Sequence, residues 1–431
     1  MIRFMAHFLA VANISVSNYL NNLVIMKKII FATIYFVALM LLSASCQKAD
    51  DITKDETPLN SINTSIKDSV IEKPVTYDAA YIVNGESNSI SVINLETNKV
   101  EKTIDLANLK SDIESGIMNM NMDNLWPHHI YLSPDKSKLA IAASGMDFSS
   151  GHNLTPDTAS ISGTTDEHSS HHSGESTTST TASSMQMSGK IIILDAISGK
   201  LLKEITMEGM THNAVFSPDG KELWAAVMMT EGKVKVYDAN TFLLLNSITV
   251  GQMPAEVTFS DDGKKAFVAN GMSNSVTVID AATKLVIDTI STGKEPVGAW
   301  PGMDGMMYVD NEEGQSISVI NGMTNMMTDT VYLGFMPGMA TRNTMMEQMW
   351  VSDPANSKIH YWTKSDTGFV HSGSVNVGIG AHAIAFSKDG KMGYVTNQFD
   401  GTVSVVDVST KLQLLKISVG VKPNGIVIRY K

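Results

Sequence analysis

The chain has 431 residues, 18% of them charged, and a formal net charge of −12. That length admits one large domain or two ordinary ones. The acidic balance, with no basic run longer than the pairs Lys27-Lys28 and Lys264-Lys265, argues against a broad nucleic-acid surface, because affinity for phosphate backbones comes from clustered Lys and Arg. Cys46 is the single cysteine, so no intrachain disulfide can form.

Residues 1–25 precede a better start at Met26 and are expected to reflect a misplaced initiation codon. From there Lys27-Lys28 form a positive segment, Ile29 to Leu42 an apolar run, and Ser43, Ala44 and Ser45 a small-residue stretch before Cys46. This is the layout of a secretory signal over 26–46, and the apolar run is short for a membrane span. It resembles the lipobox of bacterial lipoproteins, which implies acylation of Cys46 and attachment to a membrane through that lipid. Gln47 follows, without the aspartate typical of inner-membrane retention. The expected location is therefore the cell envelope, as an outer-membrane lipoprotein facing the periplasm or the exterior. Residues 47–76 are polar, lack an apolar period and read as a flexible tether.

Beyond the tether the chain repeats. Gly209, Gly251, Gly293, Gly334, Gly378 and Gly420 are spaced by 42, 42, 41, 44 and 42 residues, a period that suits four short strands with tight turns. The unit is plainest at 254–293: strands over Glu256–Ser260, Lys265–Ala269, Ser275–Asp280 and Leu285–Ile290, separated by turns at Asp262-Gly263 and Asn270-Gly271. Seven third-strand segments follow one another: ISVINLET, IIILDAIS, VKVYDANT, VTVIDAAT, ISVINGMT, IHYWTKSD and VSVVDVST. The first unit lacks its own inner strand, and the chain ends on an orphan one from Pro423 to Ile428. The expected fold is all-β: a seven-bladed β-propeller of four-stranded blades over residues 77–431, closed by the C-terminal strand. YIVNG (81–85), FVANG (267–271), YVDNE (308–312) and YVTNQ (394–398) resemble the YVTN-type, YncE-like β-propeller repeat family. Blade six departs from the pattern, and blade two carries an insertion at about 145–189. The resemblance speaks for the fold; members of that family have unrelated activities.

A propeller gathers the starts of its inner strands around a central channel. Aligning those starts places His128, His212, Ala255, Val297, Gly338, His382 and Asn424 in one column. His129, Glu256 and Met339 fall in the next column, and Met210, Met253 and Met336 recur upstream. Imidazole suits copper, zinc, iron and nickel, while thioether favours Cu(I). His128, His212 and His382 are the expected primary metal ligands, with His129 and Met210 secondary and copper the favoured ion. The paired histidines are faintly similar to the copper-binding propeller of nitrous oxide reductase. That family has more histidines and a cupredoxin domain, so its activity is not carried over.

The insertion is rich in Ser, Thr and Gly and reads as a disordered loop. His152, His168, His171 and His172 within it form a possible second metal site, set against a solvated spacer. His360 and His371, on blade six, read as surface residues. No GxSxG, Walker A or HExxH motif is present. The reading that follows is a lipid-anchored binding protein, non-catalytic, holding a transition metal at the channel mouth. Two alternatives stand beside it. One is a metal-free scaffold or ligand-binding propeller that meets a protein or envelope polymer at its rim loops. The other is a redox or lyase-type enzyme using a channel metal.

Overall fold

Residues 73–109, 125–148 and 188–431 are described by the computed structural model. They form seven four-stranded antiparallel sheets, one per repeat. The fourth repeat shows how closely local sequence sets each strand. Its strands run Pro254–Phe259, Lys265–Asn270, Ser275–Asp280 and Val286–Ser291, each a run of β-branched and aromatic residues ended by polar turn residues. The Asp-Gly turns behave as the sequence requires: Gly220, Gly263, Gly305 and Gly390 all have φ near +70°, a conformation glycine adopts at no steric cost.

Burial falls from the centre outward. The inner strand Pro254–Phe259 is buried throughout, whereas the outer strand Val286–Ser291 buries only Ile290. Hydrophobic clusters lie between blades rather than within them. For example, Phe267, Val276 and Val278 of blade four meet Ala299, Met307 and Val309 of blade five. A cluster of Ala80, Ile82 and Ile93 with Tyr394, Val403 and Ile417 joins blade one to blade seven. The ring is closed there by backbone as well. Pro423–Arg429 pairs antiparallel with Ala79–Asn84, and the sheet order runs from this C-terminal strand through the first three strands of the chain.

The repeated glycine and asparagine are two halves of one joint. A Cβ on Gly251, Gly293, Gly378 or Gly420 would lie 2.5–2.7 Å from the side chain of Asn270, Asn311, Asn397 or Asn84, each on the following blade. The asparagine is buried and its amide bridges to the third strand: Asn270 Nδ2 donates to Thr277 Oγ1 at 2.9 Å, and Asn397 Nδ2 to Ser404 Oγ at 2.9 Å. In two joints the glycine N–H donates back to the asparagine carbonyl, at 3.1 Å for Gly378 and for Gly420. The period of the sequence is thus the period of a blade-to-blade contact that leaves no room for a side chain.

Cys46 and the flanking segments at 1–72, and His152, His168, His171 and His172 of the insertion, lie outside the described residues.

Candidate functional site

Four inner strands begin at a proline preceded by a residue in the left-handed region: Trp126, Met253, Glu295 and Lys422, with φ between 47° and 54°. This turn swings the chain from the outer rim to the channel. The first residues of the inner strand then break register. Opposite Ala143 and Ala142 stand Pro127 and His129, which leaves His128 as an extra residue; the same shift occurs between Pro254 and Glu256. A bulge of this kind re-aims side chains that would otherwise alternate. Here it lets both His128 and His129 line the channel.

His128, His129 and His212 are buried and offer ring nitrogens all within 4.8 Å of one another. The His128 and His212 ring centroids are 4.2 Å apart, and that of His382 lies 5.3 Å from His128. His382 lines the same cavity but falls outside the group of three nitrogens. Beneath the histidines is Glu256, fully buried, whose Oε1 accepts from His212 Nδ1 at 3.1 Å and lies 2.9 Å from His129 Nε2. The hydrogen bond to the carboxylate places the His212 proton on Nδ1 and leaves its Nε2 with the lone pair. A carboxylate that orients an imidazole through its second nitrogen is the usual support of a metal-binding histidine.

Two further acids enter from blade five. Asp310 accepts from Trp300 Nε1 at 2.8 Å through Oδ1, and Glu312 lines the same cavity. The Oε2 of Glu256 and the Oδ2 of Asp310 are buried with no hydrogen-bond partner. Burial pushes all three carboxyls up, Asp310 and Glu312 well above the usual carboxylate range, and neighbouring acids add to the effect for those two. Burial drives His129 the other way, down to about 3, so its ring is neutral at physiological pH. With His129 neutral and two buried carboxyl oxygens lacking a partner, an entering cation would meet acceptor atoms that are already desolvated. The enclosed volume is about 20 Å³, room for one water or one ion; a sugar-sized ligand does not fit.

The mouth is covered by Phe148, whose ring lies 5.5 Å from His128 and 5.4 Å from His212. Met146, Met210, Met228 and Met253 pack around it. Met210 therefore belongs to this thioether-rich cover, paired through its backbone with Met228, and not to the cavity lining. Phe148 and Met146 stand at the start of the blade-two insertion.

Neither a family model nor a curated protein matches the sequence. Solved structures do match in shape. A functionally unknown protein from Desulfotomaculum acetoxidans aligns with a TM-score of 0.58 at 12% identity, covering 82% of this chain and 99% of that one. The periplasmic gluconolactonase of Pseudomonas aeruginosa gives 0.57 at 16% identity, covering 81% and 98%. The hydrazine synthase of Kuenenia stuttgartiensis gives 0.54 at 15%, covering 74% and 99%. At these identities the likeness shows the fold alone. The chain is a seven-bladed β-propeller.

Sequence alignment of the inner strands finds the histidines and Glu256, but passes over Asp310. The signal is present one strand further out. At the position of Asp310 the other blades carry Val83, Ala142, Ala226, Ala269, Ser352 and Thr396. An acid stands there only in blade five. The motif YVDNE reads as a variant of the repeat until its second-strand column is compared.

Proposed function

We propose that this protein is a non-catalytic binding protein that holds one transition-metal ion at the mouth of its propeller channel. The observation that carries the reading is the convergence of His128, His129 and His212, from two different blades, into one buried cavity with Glu256 behind them. His128, His129 and His212 are the first candidate ligands, with His382 within reach of a modest side-chain movement. Imidazole donors accommodate copper, zinc, iron and nickel; the thioether-rich cover favours copper, in the reduced state in particular. When bound, the ion supplies the positive charge that Glu256 and Asp310 lack. Among the described residues that line the cavity none is a nucleophile poised on a substrate-sized space, which favours storage, delivery or sensing over catalysis.

The sequence around Cys46 supports export and lipid attachment at the cell envelope, outer membrane first. A second reading, an interaction scaffold, draws on the exposed apolar residues at the starts of the outer strands, Leu243, Leu244, Leu285 and Ile287 among them.

Metal analysis of the purified protein separates the two. After loading with Cu(I) under reducing conditions and dialysis, wild type is expected to retain an equivalent that the His128/His129/His212 triple alanine variant lacks. A wild-type protein that dialyses to no bound metal overturns the metal reading and leaves the scaffold.

A further inference from the structure

Blade six replaces the neutral joint of the repeat with a charged one. In blades one, four, five and seven a buried asparagine at the end of the second strand donates to a hydroxyl two residues into the third strand, as Asn311 does to Ser318 Oγ at 3.0 Å. In blade six those two positions hold Asp353 and His360, registered by the pairing of Asp353 with Lys358 and of Val351 with His360. Asp353 is buried, and its Oδ2 lies 3.3 Å from His360 Nε2. In those four blades the position is held by an uncharged pair, so the exchange of both partners together in blade six calls for another explanation.

The outer strand of the blade supplies one. A register shift between Tyr361 and Trp362 sets Gly373 opposite the first and His371 opposite the second, leaving Ser372 as the extra residue. The bulge turns His371 onto the face of His360, where its Nε2 lies 3.1 Å from His360 Nδ1. Phe335 stacks on His360 with ring centroids 4.7 Å apart, and Trp362 stands edge-on to His371 at 5.1 Å. The result is two imidazole nitrogens facing each other between aromatic walls. The far nitrogen of one ring lies beside a buried carboxylate, and the other ring is open to solvent. The sequence predicts plain surface residues at both positions; His371 is exposed, but His360 is half-buried.

We infer that His360 and His371 form a second metal site, for a divalent ion of the zinc class, oriented by Asp353 and completed by solvent. Ligand nitrogens on a tetrahedral ion with bonds of about 2.0–2.1 Å are roughly 3.3 Å apart, close to the observed spacing. The Asp353 carboxylate, 3.3 Å from Nε2 but not hydrogen-bonded to it, favours the proton there by charge alone and so leaves Nδ1 as the lone pair facing His371. This site shares no residue with the channel cavity and does not depend on the reading of that cavity.

Equilibrium dialysis of the full chain against Zn2+ tests it. His371→Ala, a change at an exposed position, is expected to bind one equivalent fewer than wild type with an unchanged melting transition. Asp353→Asn is expected to keep the equivalent but weaken it 10–100-fold, the usual cost of losing an orienting carboxylate. The His128/His129/His212 triple alanine variant is expected to retain this equivalent, which separates it from any ion at the channel mouth. Equal stoichiometry and affinity in wild type and His371→Ala would show instead that the pair is a histidine–histidine hydrogen bond and no more.

Discussion

Asp310 illustrates what the channel demands of single residues. In the folded protein its carboxyl is held well above the usual range by burial, then by Glu256 and Glu312. The folded state therefore keeps a proton that the unfolded chain has released once the pH passes about 4. Stability tied to this group is present below that value and falls as pH rises through the folded pKa. His129 acts in the opposite sense and in another window: lowered to about 3 from 6.5, it makes stability fall as pH drops from about 6.5 toward 3, and is silent above. Asp310→Asn retains an oxygen for Trp300 Nε1 but cannot ionise. In metal-free protein its melting temperature should decline less than that of wild type as the pH rises above about 4. Thermal scans in chelator check this, and parallel curves would mean that Asp310 ionises freely in the fold. A bound cation should have the same levelling effect on wild type, because it stabilises the ionised carboxyls.

At the scale of elements, the joints between strands are specific enough to be broken one at a time. A side chain at Gly251 would put its Cβ 2.6 Å from Asn270 Cγ, so Gly251→Ala should destabilise by about 1–3 kcal/mol, as overpacking does. Asn270→Ala removes the amide that bridges to Ser275 and Thr277 and should cost a similar amount, about 1 kcal/mol for each lost bond. Chemical denaturation of both variants is the check. The double variant should lose less than the sum, since truncating Asn270 makes room for the methyl group added at Gly251. The closing strand is a larger element of the same kind. Deleting 421–431 exposes the edge of Ala79–Asn84 and opens the cluster of Ala80, Ile82 and Tyr394. Cooperative unfolding should be lost; a truncated protein that melts like wild type would refute the closure.

On the scale of the whole molecule, the ring is what makes a site from residues far apart in the chain. His128 and His382 meet because blades two and seven are neighbours but one, with only Asn424 of the closing strand between them. Removing residues 149–187 of the insertion preserves Phe148 over the histidines and should leave the channel equivalent of metal in place. Loss of that equivalent would move the ion to the loop histidines. Cys46→Ala should shift the protein from the membrane to the soluble fraction on cell fractionation, and retention at the membrane would rule out the lipid as its anchor.

Sequence alone determined the blade count, the closing strand and the histidine column, because each can be read by aligning a local pattern that repeats along the chain. Strand periodicity, the Asp-Gly turns and the glycine before each joint recur about every 42 residues and can be aligned without knowing the shape. The tertiary structure decided what those residues touch. It drew His129 in beside His128 through a bulge, moved Met210 out to the cover, and set Asp310 beneath the site from a strand that no inner-strand alignment includes. It also paired His360 with His371 across a register shift invisible in the spacing. In each case a side chain's direction was fixed by an irregularity of the sheet or by a neighbouring blade, and neither is written in the residue's own surroundings along the chain.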